Sequence, residues 1–224
     1  MRLGALFDWD GVIIDSSRYH ERSWNLLAGE EGLRLPPGHF QKGFGMKNEY
    51  IIPQILQWSR DPREIDRLSH RKEVLYREIV VKEDLQPLPG VVEFLAVLQD
   101  LSIPCAIGSS TPFLNIQVIL EKIGINEFFS GIVSGDDVSE GKPNPQVFLM
   151  AARKIHCKPE RCIVFEDAPA GIAAAHNGGM KVVGIATTHP ANVLKDADMV
   201  VSGFDDLTLT KLKQLLYTSN GSAA

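Results

Sequence analysis

The stretch LGALFDWDGVIIDSS, residues 3–17, decides the fold that we predict for the chain. Its first five residues are mostly apolar and end abruptly in Asp8-Trp9-Asp10-Gly11. A short apolar run bounded by polar residues and glycine is typical of a buried parallel strand, although Asp and Gly alone are also typical of a capped turn. Two carboxylates at a strand end are costly to bury without a cation or partners. Because open α/β sheets bind ligands at the carboxyl ends of their strands, Asp8 and Asp10 are candidate site residues.

The bulk composition is that of an ordinary globular protein. The chain has 224 residues, of which 44% are hydrophobic and 23% are charged, which fits one large or two small domains. A net charge of −5 argues against a nucleic-acid partner, which favours a basic surface. The three cysteines are odd in number and lack CxxC spacing, so we expect buried, reduced thiols. No apolar stretch reaches the ~20 residues that span a membrane. We therefore expect a soluble, cytoplasmic protein, a monomer or weak dimer, without a membrane partner.

The chain between residues 16 and 85 predicts helices and no core strand. Helices are expected at 16–29, 46–58 and 61–81, with a loop-rich connection at 32–45 between the first two. A side-chain cap from Ser16 or Ser17 would begin the first helix, and Pro62 behind Asp61 would begin the third. These residues are predicted to form an inserted all-helical cap domain.

From residue 87 onward, strand and helix patterns alternate. We expect strands at 104–108, 131–134, 162–165, 182–185 and 199–201, and helices at 90–99, 113–123, 142–154, 169–177 and 207–216. Such alternation predicts a parallel, doubly wound sheet. The predicted fold class is therefore α/β, with a Rossmann-like core formed by residues 1–15 and 86–224 and the cap domain at 16–85. The tail at 218–224 is expected to be frayed.

Polar side chains follow the predicted strands at one edge of this sheet. They are Asp8 and Asp10, then Ser109, Ser110 and Thr111, then Lys142 in a loop, and finally Glu166 and Asp167. Four converging carboxylates repel one another in a low dielectric unless a divalent cation joins them. An all-oxygen cluster suits Mg²⁺, which also accepts phosphate oxygens. We expect Lys142 and Ser109 to hold the remaining phosphoryl oxygens, and Ser110 and Thr111 are candidate substrate-binding residues.

Four of these motifs resemble those of the haloacid-dehalogenase-like hydrolase superfamily, most members of which are aspartate-nucleophile phosphatases. They are DWDGVIID at 8–15, the strand end at Ser109, Lys142 in GKPNP, and VFEDAPAGI at 164–172. The resemblance implies that Asp8 attacks phosphorus and becomes an aspartyl phosphate. It implies that Asp10 acts as acid and then as base, which requires a raised pKa. It also implies Mg²⁺ held by Asp8, the backbone carbonyl of Asp10 and Asp167, with Glu166 close by or acting through water.

Three further segments resemble the β-phosphoglucomutase-like subgroup: DSSRYH at 15–20, GMKNE at 45–49 and RKEVLY at 71–76. The resemblance implies that His20 and Lys72 serve the closed active site, whereas an exposed helical histidine is ordinarily inert, and both interpretations stay open. Asn48 stands where a mutase of this subgroup carries a phosphate-binding arginine, with Lys47 beside it. Both are therefore candidate substrate-binding residues. Trp9 and the other histidines (His39, His70, His156, His176 and His189) are expected to be structural.

The sequence thus predicts a Mg²⁺-dependent phosphatase acting on a small phosphorylated metabolite, in particular a sugar-like phosphomonoester. A sugar phosphomutase that uses the same aspartyl phosphate is one alternative. A phosphoacceptor or binding domain without turnover, such as a signalling receiver, is an alternative of another class, although a receiver has no helical insert after its first strand. GMKNE, WSRDP at 58–62 and PERCIVF at 159–165 also resemble plant plastid enzymes that dephosphorylate a riboflavin precursor.

Overall fold

The computed structural model describes residues 3–43 and 45–217. Within them, six strands form one sheet in which every pairing is parallel. The strands are β1 (Gly4–Phe7), β2 (Cys105–Gly108), β3 (Phe129–Val133), β4 (Cys162–Glu166), β5 (Lys181–Ile185) and β6 (Met199–Val201). Their spatial order is β3-β2-β1-β4-β5-β6. The predicted α/β class with a doubly wound parallel sheet is confirmed.

The register of the three central strands brings their carboxyl ends level. Phe7 of β1 lies opposite Ile107 of β2 on one side and Phe165 of β4 on the other. The next backbone N–H, that of Asp8, donates to the carbonyl of Phe165 at 3.0 Å. Strand order reverses at β1, and in open α/β sheets such a switch point forms a crevice at the carboxyl edge.

The segment between β1 and β2 begins with helices, and residues 16–85 are called the helical insert below. Its helices are α1 (Ser17–Glu31), α2 (His39–Gly43), α3 (Asn48–Tyr50) and α4 (Pro62–Lys82), with a π-helical segment, Ile51–Leu56, after α3. Buried apolar side chains of α1, the π-helical segment and α4, among them Trp24, Ile52 and Leu68, form a separate small core. The domain boundaries at 16–85 stay a prediction.

The helical insert leaves and rejoins the core at one place. The backbone N–H of Leu88 donates to the carbonyl of Ile13 at 2.8 Å. Beside this bond, Ile14 and Pro87 form an isolated antiparallel bridge. The two connecting segments therefore lie side by side.

Helices pack on both faces of the sheet. They are α5 (Val91–Asp100), α6 (Phe113–Ile123), α7 (Gln146–Lys154), α8 (Pro169–Asn177) and α9 (Leu209–Tyr217). Because side chains alternate along a strand, Phe7 enters one apolar core, where its ring stacks on Phe165 at 4.7 Å between centroids, and Leu6 enters the other. A central strand buried on both faces reads as a continuous apolar run, as β1 does.

Some local predictions for the helical insert are wrong. The side chain of Ser16 does not cap α1 but donates to Asp10. The backbone N–H of Ser17 donates instead to the Asp15 carboxylate at 3.1 Å. The connection at 32–45, predicted to be rich in loops, also contains the short helix α2, which the sequence did not predict. The predicted helix at 46–58 begins at Asn48 and becomes π-helical around Pro53, which has no N–H to continue an α-helical ladder. By contrast, α4 begins at Pro62 behind an Asp61 cap, as predicted.

The helix predicted at 142–154 begins at Gln146 instead of Lys142. Prolines at 143 and 145 lack N–H donors and disfavour helical geometry in the residues before them, so residues 142–145 stay in a turn. The three cysteines are buried, as expected. The tail predicted to fray, 218–224, lies outside the described residues. None of the described helices is both long and apolar enough to span a bilayer.

Candidate active site

Three carboxylates meet at the carboxyl ends of β1 and β4. Asp8 directly follows β1, Glu166 is the last residue of β4, and Asp167 follows it. All three are buried, and one oxygen of each lies within 4.8 Å of the others. The strand register thus brings together acids that are about 160 residues apart in sequence.

Lys142 lies inside this acidic cluster. Its ammonium contacts Asp8 Oδ1 at 2.8 Å and donates to Glu166 Oε1 at 2.6 Å. The backbone N–H of Ala168 donates to the second oxygen, Glu166 Oε2, at 2.8 Å. Burial lowers the pKa of Lys142, but the two carboxylates outweigh burial and hold that pKa above its ordinary value. The ammonium is therefore charged and fixed beside Asp8.

The acids carry more negative charge than Lys142 balances. Burial raises the pKa of Asp8 to about 6. Attraction by Lys142 opposes this rise, and repulsion from Glu166 adds to it. Burial, followed by repulsion from Glu166 and Asp8, raises the pKa of Asp167 to about 9. Buried carboxylates that repel one another are a suitable donor set for a hard cation. The cluster can therefore bind a metal ion.

Two glycines of the motifs make room for these acids. A Cβ on Gly171 would lie 1.7 Å from Glu166 Oε1, so no larger residue fits beneath that carboxylate. Gly11 has φ of +77°, and a Cβ there would lie 2.0 Å from Asp167 Oδ2. These contacts give the glycines in DWDG and APAG a packing role at the site.

Asp10 lies beside the cluster and is held by hydroxyl groups. Its two carboxylate oxygens accept hydrogen bonds from Ser16 and Thr111, and His20 Nε2 lies 3.8 Å from Oδ1. Burial raises the pKa of Asp10, but His20, Ser16 and Thr111 together bring it below its ordinary value. The prediction of a raised pKa is therefore wrong for this arrangement, because three donors stabilise the ionised form.

His20 lies beside Asp10 and is itself contacted by Lys72, and both residues belong to the helical insert. The Lys72 ammonium contacts His20 Nδ1 at 2.7 Å, and the His20 ring stacks on Tyr76 with centroids 4.0 Å apart. An ammonium only donates, so Nδ1 accepts and the ring proton lies on Nε2, facing Asp10. Burial and Lys72 lower the pKa of His20, which favours the neutral ring. The structure therefore places both residues at the candidate site.

The comparisons with known proteins agree with this geometry. The family model for haloacid dehalogenase-like hydrolases matches residues 4–179. The chain belongs to the haloacid dehalogenase-like hydrolase family. It is 41% identical over 219 residues to the chloroplastic 5-amino-6-(5-phospho-D-ribitylamino)uracil phosphatase of Arabidopsis thaliana, covering 96% of this chain but only 58% of that protein.

Two further matches cover nearly the whole of both chains. The β-phosphoglucomutase of Bacillus subtilis is 33% identical over 218 residues, which are 94% of this chain and 93% of that protein. The crystal structure of β-phosphoglucomutase from Clostridium difficile superposes with a TM-score of 0.86 at 27% identity, covering 98% and 99% of the two chains. The predicted resemblance to this family is confirmed.

In this haloacid dehalogenase-like hydrolase, Asn48 and Lys47 make contacts that the sequence did not predict. The Asn48 amide donates to Glu73 Oε1 at 2.7 Å and to Ser69 at 3.0 Å. The Lys47 ammonium donates to the carbonyl of Gly135, on the core side, at 3.4 Å. Both residues lie where the helical insert faces the core, and Asn48 is engaged by an anionic side chain.

The hydroxyl groups after β2 have different surroundings. Thr111 is buried and bound to Asp10, and its N–H donates to the Ser109 hydroxyl at 3.3 Å. Ser109 is also buried, whereas Ser110 is half-buried and its backbone carbonyl lies close against Gly135. Thr111 is therefore placed to hold Asp10, and its predicted contact with substrate stays a prediction.

Several residues of the site were missed by the sequence analysis. They are Ser16, Glu73, Asn115 and Thr188, whose side chains contact Asp10, Lys72, Glu73 and Asp167, respectively. His189, expected to be structural, has Nδ1 3.0 Å from the carbonyl of Asp167. The resemblance of RKEVLY indicated Lys72 but gave no role to Glu73, and Asn115 has no signal beyond that of a polar residue in a helix.

Proposed function

We propose that the protein is a Mg²⁺-dependent phosphatase that hydrolyses a small phosphomonoester through a phosphorylated Asp8. The observation that carries this proposal is the position of Lys142, in contact with both Asp8 and Glu166 inside the acidic cluster. A lysine fixed beside a carboxylate nucleophile supplies a positive charge where phosphoryl oxygens would lie. Membership of the hydrolase family supports the same reaction type.

The metal ligands that we propose are Asp8, Asp167 and the backbone carbonyl of Asp10. Glu166 would act through water, because its two oxygens already accept from Lys142 and the Ala168 N–H. When bound, Mg²⁺ would neutralise charge on the phosphoryl oxygens. The all-oxygen donor set and the mutual repulsion of these acids support the choice of a hard cation.

Asp8 would attack phosphorus, so that an aspartyl P–O bond forms while the bond to the leaving oxygen breaks. Asp10 would give its proton to that oxygen and then accept one from the water that releases inorganic phosphate. Since Asp10 is ionised in the present arrangement, it must first take up a proton, which an approaching phosphate dianion favours by raising its pKa. Ser16, Thr111 and His20 would fix its orientation.

The helical insert would act as a cap domain over the site. His20 and Lys72, both from the insert, contact Asp10 or each other. A cap excludes bulk water and adds substrate contacts. We therefore place substrate selection in the insert. The Arabidopsis relative is named for a ribityl phosphate, so a polyol or sugar phosphomonoester is the substrate class that we propose.

A sugar phosphomutase is the second candidate, because the chain is 33% identical to a β-phosphoglucomutase. A mutase holds a second phosphate while its bisphosphate intermediate reorients, for which a bidentate arginine is well suited. Here Asn48 takes that position, and its amide donates to Glu73. We therefore expect water to be the acceptor of the phosphoryl group.

The test is an assay of phosphate release from a panel that includes the substrate of the Arabidopsis relative, fructose 1-phosphate and β-glucose 1-phosphate, with Mg²⁺. Catalytic release of phosphate is expected, and Asp8→Asn should abolish it. A single phosphorylation without turnover would instead indicate a phosphoacceptor domain. With β-glucose 1-phosphate and a trace of the 1,6-bisphosphate, conversion to glucose 6-phosphate without free phosphate would indicate a mutase.

A further inference from the structure

The carboxylate of Glu73 is a feature of the helical insert that the proposed mechanism leaves unused. Glu73 lies on α4 and is buried, next in sequence to Lys72. The Lys72 ammonium links it to His20, which faces Asp10. Glu73 therefore lies on the side of Asp10 where the insert would meet the leaving group.

Three donors fill the two oxygens of Glu73. Oε1 accepts from Asn48 at 2.7 Å and from Lys72 at 2.9 Å, and Oε2 accepts from Asn115 at 2.5 Å. Asn115 is itself fixed, since its Oδ1 accepts from Arg77 at 2.8 Å. The amides of Asn48 and Asn115 are neutral donors of the kind that bind phosphate, and both already donate to the Glu73 carboxylate.

These contacts keep Glu73 ionised. Burial raises its pKa, but Lys72, His20 and the hydrogen bonds outweigh burial and bring the pKa to about 2. Among the direct partners that the structure describes, Lys72 is the cation and the asparagines are neutral. The lysine charge is thereby balanced by Glu73, so the Lys72–Glu73 pair itself offers no net positive charge to a second anionic group.

We propose that Glu73 is a specificity-determining residue, whose carboxylate excludes substrates with a second phosphate and selects phosphomonoesters whose remaining part is neutral or cationic. This inference rests on the proposed phosphatase function. Its physical basis is that like charges brought together out of water repel strongly. A bisphosphate would also have to compete with Glu73 for Asn48 and Asn115.

A merely structural Glu73 would hold Lys72 and the insert in place without selecting substrates. The ratio of affinities for two related ligands separates these roles, because a folding defect weakens both ligands alike. We would measure inhibition of p-nitrophenyl phosphate hydrolysis, with Mg²⁺, by fructose 1-phosphate and by fructose 1,6-bisphosphate. The variants are Glu73→Gln, Glu73→Asp and Asn48→Arg, with Glu78→Gln as the control, since Glu78 is an exposed glutamate of the same helix.

We expect wild type and Glu78→Gln to bind the monophosphate about tenfold or more tightly than the bisphosphate. Glu73→Gln should reduce that preference about tenfold, whereas Glu73→Asp, which keeps the charge, should retain it. Asn48→Arg should also reduce it by adding a cation beside Glu73, which provides the test if Glu73→Gln does not fold.

If the ratio of the two affinities is unchanged in both Glu73→Gln and Asn48→Arg, the inference is overturned. It is also overturned if wild type binds the two sugar phosphates equally well or binds neither. In each of these cases wild type still hydrolyses p-nitrophenyl phosphate. Absence of that hydrolysis would instead refute the proposed phosphatase function itself. The two failures are thus distinguishable.

Discussion

The acidic cluster at the sheet edge and the side-chain network of the helical insert are built in different ways. Asp8, Glu166 and Asp167 are placed by the backbone register of β1 and β4, and Lys142 only partly offsets the repulsion among them. His20, Lys72 and Glu73 come from two helices and balance one another's charge. The cluster can therefore bind a cation, whereas the Lys72–Glu73 ion pair of the network already balances its own charge. This difference suggests that the sheet supplies the chemistry and the insert selects what it acts on.

Asp8→Asn tests the sheet side of this comparison and should have the largest effect. The amide keeps the shape of the side chain but removes the nucleophile, so phosphate release should fall by about 10³-fold or more. The circular dichroism spectrum should be unchanged. Asp100→Asn, at the exposed end of α5, is the matched control and should retain activity. Appreciable turnover by Asp8→Asn would refute the aspartyl-phosphate mechanism.

Removal of Mg²⁺ should affect the acidic cluster and leave the insert network intact. EDTA should abolish phosphate release and lower the melting temperature, because a bound cation stabilises the native state by about 2.7 kcal/mol at 100 times its Kd. Differential scanning fluorimetry measures the shift. Asp167→Asn should lose most of it, whereas Glu73→Gln should show the wild-type shift. An equal loss in both variants would mean that the two regions are not independent.

Lys72→Ala tests the insert side. Removing one partner of a buried ion pair destabilises a protein by about 3 kcal/mol, and here Glu73 would lose its cation. Turnover of a sugar phosphomonoester should fall more than turnover of p-nitrophenyl phosphate, which is too small to need the insert. Urea unfolding and the two sets of kcat/KM values provide the measurement. Equal losses on both substrates would indicate a folding defect and no role in substrate contact.

The smallest of these effects should be the change in the free energy of unfolding with pH, which tests whether Glu73 forms an ion pair in the network. The pKa of Glu73 is lowered to about 2 from an ordinary 4.5. Its contribution to the free energy of unfolding is therefore fully present above pH 4.5 and is lost as the pH falls toward 2. The stability difference between wild type and Glu73→Gln should shrink by about 2 kcal/mol from pH 5 to pH 3. A difference that does not change with pH would show that Glu73 is not an ion-paired carboxylate.

The sequence predicted the acidic cluster because each of its parts is local. An apolar run that ends in acids identifies both a strand and its functional end, so Asp8 and Glu166 could be placed at one sheet edge from the sequence alone. Glu73 and Asn115 could not be found in this way. They are 42 residues apart, and their contact depends on how α4 packs against α6.

Two local rules also failed because tertiary contacts outweighed them. Ser16 has the residue type of a helix cap, but its hydroxyl donates to Asp10. A buried carboxylate without hydrogen-bond donors costs more free energy than an uncapped helix end. The acid role implied for Asp10 requires a raised pKa, but the donors that lower this pKa come from the start of the helical insert and from the loop after β2. Such balances depend on partners distant in sequence.

The hydrogen bond between Leu88 and Ile13 has an evolutionary consequence. The helical insert begins and ends at neighbouring points of the core. Its length therefore does not affect the distance between the two strands that it connects. Domain insertion is tolerated where chain ends lie close together. A gene segment encoding another insert could therefore replace residues 16–85 without altering strand order or the acids of the sheet. New substrate preferences could arise by exchange of this segment as well as by point substitution.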